Sequence, residues 1–290
     1  MATAMMKPGE EKQMTQPTFA QAQQMLRGGL AKTMRDVAAG YAIPLAWIHA
    51  EAGRPVMPSN GSAFLLDAGQ GPFLTTARHV YRGFLAAKAE HSDTVCVVGQ
   101  TRIALQERLR AQDRAHDVAT FDVTAEEVAD LKRYRKIPLT GSQQTWPPPP
   151  PLVDHGVFFV GFTGQQRTLL PYHGNSVVEV EFGAYTALAV ASSVSTTSIT
   201  MHFEHEPDFD VGERNVMPTQ ENIGGCSGAP VLTFVEERRV FTWRLGGIVT
   251  EAGQGFVKAA RADCLNADGT INAHPDPAAY RTDRSPQGTE

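Results

Sequence analysis

Gly224-Gly225-Cys226-Ser227-Gly228-Ala229-Pro230 runs straight into Val231-Leu232-Thr233-Phe234, so a glycine-dense turn feeds an apolar strand. Glycine takes backbone angles that other residues avoid, and it lets another group come close to the main chain. A serine set among glycines is therefore placed to act as a nucleophile served by backbone N–H donors. The same residues also make an ordinary tight turn before a strand. Taken alone, the stretch leaves both readings open.

Around that turn the chain has the texture of a β protein. From Ile43 onward, short runs rich in β-branched and aromatic residues alternate with turn signals. They fall at 46–49, 62–66, 73–76, 94–98, 102–106 and 118–123, then at 157–162, 176–181, 187–192, 198–204, 229–234, 240–249 and 255–260. Strands this short and this closely spaced predict an all-β sandwich or a pair of barrels. Two helical stretches interrupt them. Within 17–39, Phe19, Met25, Leu26, Leu30, Met34 and Val37 recur near one face, which predicts an N-terminal helix that packs on the body or receives a protein partner. Thr124-Ala125-Glu126-Glu127 reads as a capping box opening a short helix that runs to about Tyr134. Trp146 is followed by five prolines, 147–151, which cannot enter a sheet interior and predict a stiff connector.

Composition narrows the function classes. The chain has 290 residues, 42% hydrophobic and 20% charged, with net charge −5, ordinary for a globular protein with a sizeable core. No basic stretch exceeds a few residues, so no nucleic-acid footprint is expected. The densest cluster, 132–136, suits a helix C-terminus. Three cysteines, Cys96, Cys226 and Cys264, form no CxxC pair and no even-numbered framework. No secretory leader and no membrane span stand out, and a cytoplasmic protein is expected.

Two further segments carry chemistry. Leu74-Thr75-Thr76-Ala77-Arg78-His79-Val80 puts a histidine just past an apolar strand, and His116-Asp117-Val118-Ala119-Thr120-Phe121 puts an acid at the start of another. A single histidine or a strand-leading aspartate is commonplace. Together with Ser227 they give His, Asp and Ser in chain order, each at a strand edge.

On these segments, with Leu245-Gly246-Gly247-Ile248-Val249-Thr250 as a fourth, the chain resembles the trypsin-like (chymotrypsin-fold) serine peptidases, of the bacterial intracellular sort without disulfides. The resemblance covers about residues 42–265. It implies two six-stranded antiparallel β-barrels: 42–145 carrying His79 and Asp117, and 152–270 carrying Ser227. The linker 146–151 would join them, with 1–41 as N-terminal segment and helix, a short inter-barrel helix, and 271–290 as a loose tail.

Carried over by position, His79 matches the general base, Asp117 the orienting acid and Ser227 the nucleophile. A serine hydroxyl needs a base to attack a carbonyl at neutral pH, and the imidazole needs a carboxylate to fix its tautomer. The amides of Gly225 and Ser227 match the oxyanion hole. Cys226 precedes the nucleophile position by one residue. It stands where zymogen-activated relatives hold an aspartate, so no trypsin-style activation is expected. Glu221 falls at the base of the primary specificity pocket of relatives, where an acid favours Lys or Arg before the scissile bond; a surface loop is the other reading. Thr250, Glu251 and Ala252 resemble the segment that pairs with an extended substrate.

The remaining candidates are plainer. His202 and His205 face opposite sides of a strand and suit no zinc. Residues 204–210 read as a solvated loop, and His116 lies on the face opposite Asp117. The expected function is peptide-bond hydrolysis of a polypeptide substrate, with no cofactor, no metal, no nucleic acid and no membrane. The alternatives are a protease silent until a partner binds, and a pseudo-peptidase that holds peptides without cutting them.

Overall fold

A computed structural model describes residues 24, 29–49, 58–141, 146–170, 179–202, 223–237, 240–253 and 255–272. Helix α1 (Ala31–Tyr41) leads into β1 (Ala42–Ile48), β2 (Ser59–Asp67) and β3 (Phe73–Ala77). Then follow α2 (Arg78–Glu90), β4 (Val95–Val98), β5 (Thr101–Arg102), α3 (Leu105–Arg108), β6 (Leu109–Asp113), β7 (Val118–Asp122), α4 (Ala125–Arg133) and β8 (Leu139–Thr140). The second half comprises β9 (Gly156–Leu170), β10 (Glu179–Val194), β11 (Ser198–His202), β12 (Pro230–Glu237), β13 (Val240–Gly253) and β14 (Phe256–Arg261).

The fold is mostly β, and the two halves differ. In the second, the order β10-β11-β14-β13-β12-β9 closes on itself as a six-stranded antiparallel barrel. Register shifts at Phe182/Ala184, Ala191/Ser193, Val231/Leu232 and Val249/Glu251 add the bend that closure requires. The first half departs from the expected six-stranded barrel. It is an eight-stranded sheet in the order β5-β4-β1-β2-β3-β7-β6, with β8 parallel to the end of β2. Its end strands do not pair with each other among the described residues. One is two residues long, and the other, Leu-Arg-Ala-Gln-Asp, leaves no residue fully buried.

Side-chain alternation on the central strands builds three cores. Ala63 and Leu65 of β2 join Ile43, Leu45, Leu74 and Phe121 inside the first sheet. Their neighbours Phe64 and Leu66 point the other way, into a cluster shared by both halves. On β9, Val157 and Phe159 fill the barrel, whereas Phe158, Val160 and Phe162 enter the shared cluster. These strands are buried on both faces, which is why they read as unbroken apolar runs. Met34 and Ala38, one turn apart on α1, also enter the shared cluster, so that face of the helix packs internally. Of the other residues of the predicted face, Leu30 is exposed and Val37 half-buried, and Phe19, Met25 and Leu26 lie outside the described residues.

Several local expectations change. The capping box forms, with Glu127 N–H donating to Thr124 Oγ1 at 3.1 Å and Thr124 N–H to Glu127 Oε2 at 2.7 Å. Its helix α4 buries Val128 and Leu131 in the first sheet's core and belongs to that half rather than bridging the two. The strand expected at 102–106 stops after Arg102 and gives way to α3. The proline segment is anchored: Trp146 Nε1 donates to Leu265 O at 2.7 Å, and Pro148 and Pro151 are buried. Beyond β14 the chain crosses back to the first sheet. There Thr120 Oγ1 donates to Gly269 O at 2.6 Å and Arg110 Nη1 to Asp268 O.

Candidate active site

β3 ends at Ala77 in an extended conformation (φ −70°, ψ 140°), and α2 begins at the next residue. His79 therefore sits in the first turn of a helix. Ala77 offers no side chain to cap it. The cap comes from Asp117, at the start of β7. Its main-chain carbonyl accepts from Arg78 N–H at 2.8 Å and its Oδ1 from His79 N–H at 2.9 Å. Its Oδ2 lies 2.6 Å from His79 Nδ1. A carboxylate at a helix N-terminus also meets the favourable end of the dipole. Asp117 does this at φ +54°, a left-handed conformation that Asp tolerates better than most residues. A carboxylate only accepts, so in a neutral imidazole this contact favours the tautomer with its proton on Nδ1 and a lone pair on Nε2. The side chains of His79 and Asp117 remain 51% and 29% exposed, so the imidazole can be reached from solvent.

The glycine-rich stretch folds into two successive turns. Cys226 N–H donates to Ile223 O at 3.2 Å, and Ala229 N–H to Cys226 O at 3.0 Å. The third residue of each turn is a glycine at positive φ, Gly225 at +102° and Gly228 at +90°, where a side chain would be strained. Gly228 is needed for space as well. A Cβ there would lie 2.0 Å from Ser62 O, 2.3 Å from Thr76 Oγ1 and 2.9 Å from Ala77 N. That close approach presses the Ser227 turn onto the end of β3, two residues before His79.

Other main-chain groups of the turn have partners. Gly228 N–H donates to Val249 O at 2.7 Å, while Gly224 O accepts from Gly164 N–H at 2.9 Å. Among the described residues, the amides of Gly225 and Ser227 meet no acceptor. They are the two amides that the family resemblance implies for an oxyanion hole.

Cys226 faces away from this arrangement. It is fully buried in the barrel core, and its Sγ lies 2.8 Å from where a Cβ on Gly161 would stand. Burial pushes its thiol up to about 12, so it holds almost no thiolate at neutral pH. His116 is also buried and pairs with Asp113, Nδ1 to Oδ1 at 2.8 Å. Burial pushes the Asp113 carboxyl up, but the hydrogen bonds and charge of His116 outweigh it and hold the group below its ordinary value.

Thr250, Glu251 and Ala252 lie on β13 beyond its last ladder partner in β12, the Pro230–Ile248 pair. β14 pairs one edge of this segment, Glu251 with Lys258 and Ala252 with Val257. Among the described residues no strand occupies the other edge. Glu221, His205 and the 204–210 loop lie outside the described residues. His202 ends β11, exposed, between Val190 and Phe256. Among the described residues no group of three or more His, Cys, Asp or Glu could hold a metal ion, and no helix is long and apolar enough to cross a membrane.

Three residues that sequence reasoning passes over converge on the turn. Ser62 Oγ donates to Gly225 O at 2.8 Å, Asn60 Nδ2 donates to Phe162 O at 2.7 Å, and Gly164 holds Gly224 as described. Their one sequence signal is polar Asn60-Gly61-Ser62 at the head of the apolar run Ala63–Leu66.

No family model matches the chain, and no curated protein does. Among solved structures, one from a study of how aromatic interactions drive the coupled folding and binding of the intrinsically disordered Sesbania mosaic virus VPg protein superposes at TM-score 0.35. It is 10% identical over 76% of this chain and 91% of that one.

Proposed function

We propose that this chain is a serine endopeptidase of the chymotrypsin type, cleaving polypeptides at Ser227. One observation carries the reading. The turn bearing Ser227 has two amides that meet no acceptor among the described residues and is pressed against the strand end that leads to His79, while Asp117 holds that histidine by Nδ1.

The chemistry follows from the residues. Ser227 Oγ attacks the substrate carbonyl carbon as His79 Nε2 takes its proton. The carbonyl oxygen becomes an oxyanion and accepts from the Gly225 and Ser227 amides. Asp117 stabilises the imidazolium. The C–N bond then breaks, and the imidazolium gives its proton to the leaving amine. A water molecule, deprotonated by His79, hydrolyses the Ser227 ester and frees the enzyme.

The residues before the scissile bond would add as a strand along the outer edge of Thr250–Ala252. Glu221 would then select a Lys or Arg side chain. Three buried free thiols suit a reducing compartment, and we place the protein in the cytoplasm.

The test is labelling with a fluorophosphonate probe together with cleavage of a peptide library. Labelling and cleavage that both vanish in Ser227→Ala support the reading. Cleavage that persists in that variant overturns it.

A further inference from the structure

We infer that Ser62 is the positioning residue of the oxyanion-binding turn, acting through its hydroxyl. The inference rests on the hydrolase reading above. Ser62 is polar, yet it is fully buried within an apolar strand. All its polar groups are engaged. Its N–H donates to Ser227 O at 2.8 Å and its Oγ to Gly225 O at 2.8 Å. The same Oγ accepts from Phe162 N–H at 3.0 Å, and its carbonyl accepts from Thr76 Oγ1 at 2.6 Å.

The geometry gives those bonds a purpose. An oxyanion donor is useful only if its N–H already points where charge will develop. Gly225 has no side chain to restrain it, so its peptides need holding from outside. In a trans peptide the C=O and N–H point in opposite directions. The bond from Gly164 to Gly224 O therefore aims the Gly225 amide away from β9. Ser62 Oγ fixes the next carbonyl, so both torsions of Gly225 are held.

Ser227 is held in the same way. Ala229 N–H takes the preceding carbonyl, Cys226 O, and Ser62 N–H takes Ser227 O. Ser62 thus supplies one restraint to each donor residue. Only the restraint on Gly225 depends on a side chain. Without the hydroxyl, Gly225 O and Phe162 N–H lose their buried partners, the ψ torsion of Gly225 is no longer held, and the peptide that carries the Gly225 amide rests on the Gly164 bond alone.

The test compares Ser62→Ala and Ser62→Thr with the parent, using full-length chain. Readouts are kcat and KM for a cleaved peptide, inhibition by a peptide boronic acid that mimics the tetrahedral state, and peptide affinity in a Ser227→Ala background. S62A should lower kcat by about 10- to 100-fold, less than deleting an oxyanion donor outright. Boronate affinity should weaken by a similar factor, while KM and the affinity of the uncleaved peptide stay within about 2-fold. S62T keeps the hydroxyl and should stay close to the parent. Should S62A fail to fold, S62C keeps the volume with a much weaker donor and carries the same test. An active parent whose S62A variant keeps kcat and boronate affinity overturns the inference alone, as does equal loss for boronate and uncleaved peptide. A parent that neither cleaves peptides nor labels at Ser227 overturns the hydrolase reading and this inference with it.

Discussion

Asp117 grips His79 with both carboxylate oxygens, Oδ1 on the main-chain amide at 2.9 Å and Oδ2 on Nδ1 at 2.6 Å. Backbone and ring are therefore fixed by one acid. Asn in its place keeps the shape but can offer its NH₂ to the ring, which favours the wrong tautomer. Asp117→Asn should reduce kcat by about 10⁴-fold. Circular dichroism and the thermal midpoint should show the fold retained.

Ser227→Ala removes the proposed nucleophile and should lower turnover by about 10⁶-fold, to what binding and the oxyanion amides supply alone. Pre-steady-state kinetics with excess chromogenic ester should lose their burst in the variant.

The buried thiol of Cys226, raised to about 12, should resist alkylation. Iodoacetamide at about pH 8 should leave the native protein unmodified there and label it after denaturation. Mass spectrometry of digested protein would show this. Modification of Cys226 in the native state with loss of activity would move the nucleophile one residue back.

Gly228→Ala meets two penalties at one position, a φ of +90° and a Cβ only 2.0 Å from Ser62 O. The variant should lose at least about 3 kcal/mol, if it folds at all. Urea denaturation measures the loss. A variant as stable as the parent would show that the turn does not press on β2 and β3 as described.

Lys136 links stability to alkaline pH. Its Nζ donates to Ala39 O at 2.7 Å and sits 5.2 Å from the Phe162 ring centre. Burial pulls its ammonium down from 10.5 to about 8. Between those values the folded chain has released a proton that the unfolded chain still holds. This group's contribution to stability therefore rises with pH across that window, and the full handicap applies below about 8. Relative to Lys136→Met, the parent should gain stability from about pH 7.5 to about pH 10. Urea midpoints of the two proteins at both pH values measure it.

Much of the strand pattern is legible in the chain because β2, β3, β7 and β9 bury both faces and read as apolar runs. α2 is not legible, since its cap is the side chain of Asp117 rather than a neighbouring Ser, Thr or Asp. β6 escapes notice because Arg110, Gln112 and Asp113 make it polar, and its pairing with β7 alone keeps it in the sheet. β10 reads as two strands because its long ladder with β9 continues through a bulge at Phe182/Ala184. The openness of the first sheet is set by short edge strands, which no local pattern announces. At the site, the sequence marks His79, Asp117 and the Ser227 turn by residue type. Gly164 acts through its main chain, and Ser62 adds a hydroxyl whose partners, Gly225 O and Phe162 N–H, lie far away in the chain, so neither is marked by its neighbours in sequence.

The segment beyond β14 carries a consequence for how the molecule is made. Leu265 accepts from Trp146, Gly269 from Thr120 and Asp268 from Arg110. During synthesis from the N-terminus, His79 and Asp117 emerge first, Ser227 much later, and this closing stitch last of all. The first sheet must wait on the ribosome with the acceptors for Thr120, Arg110 and Trp146 still unmade. A messenger cut short before Leu265 therefore yields a chain that carries His79, Asp117 and Ser227 and lacks the bonds that tie its end to Thr120, Arg110 and Trp146.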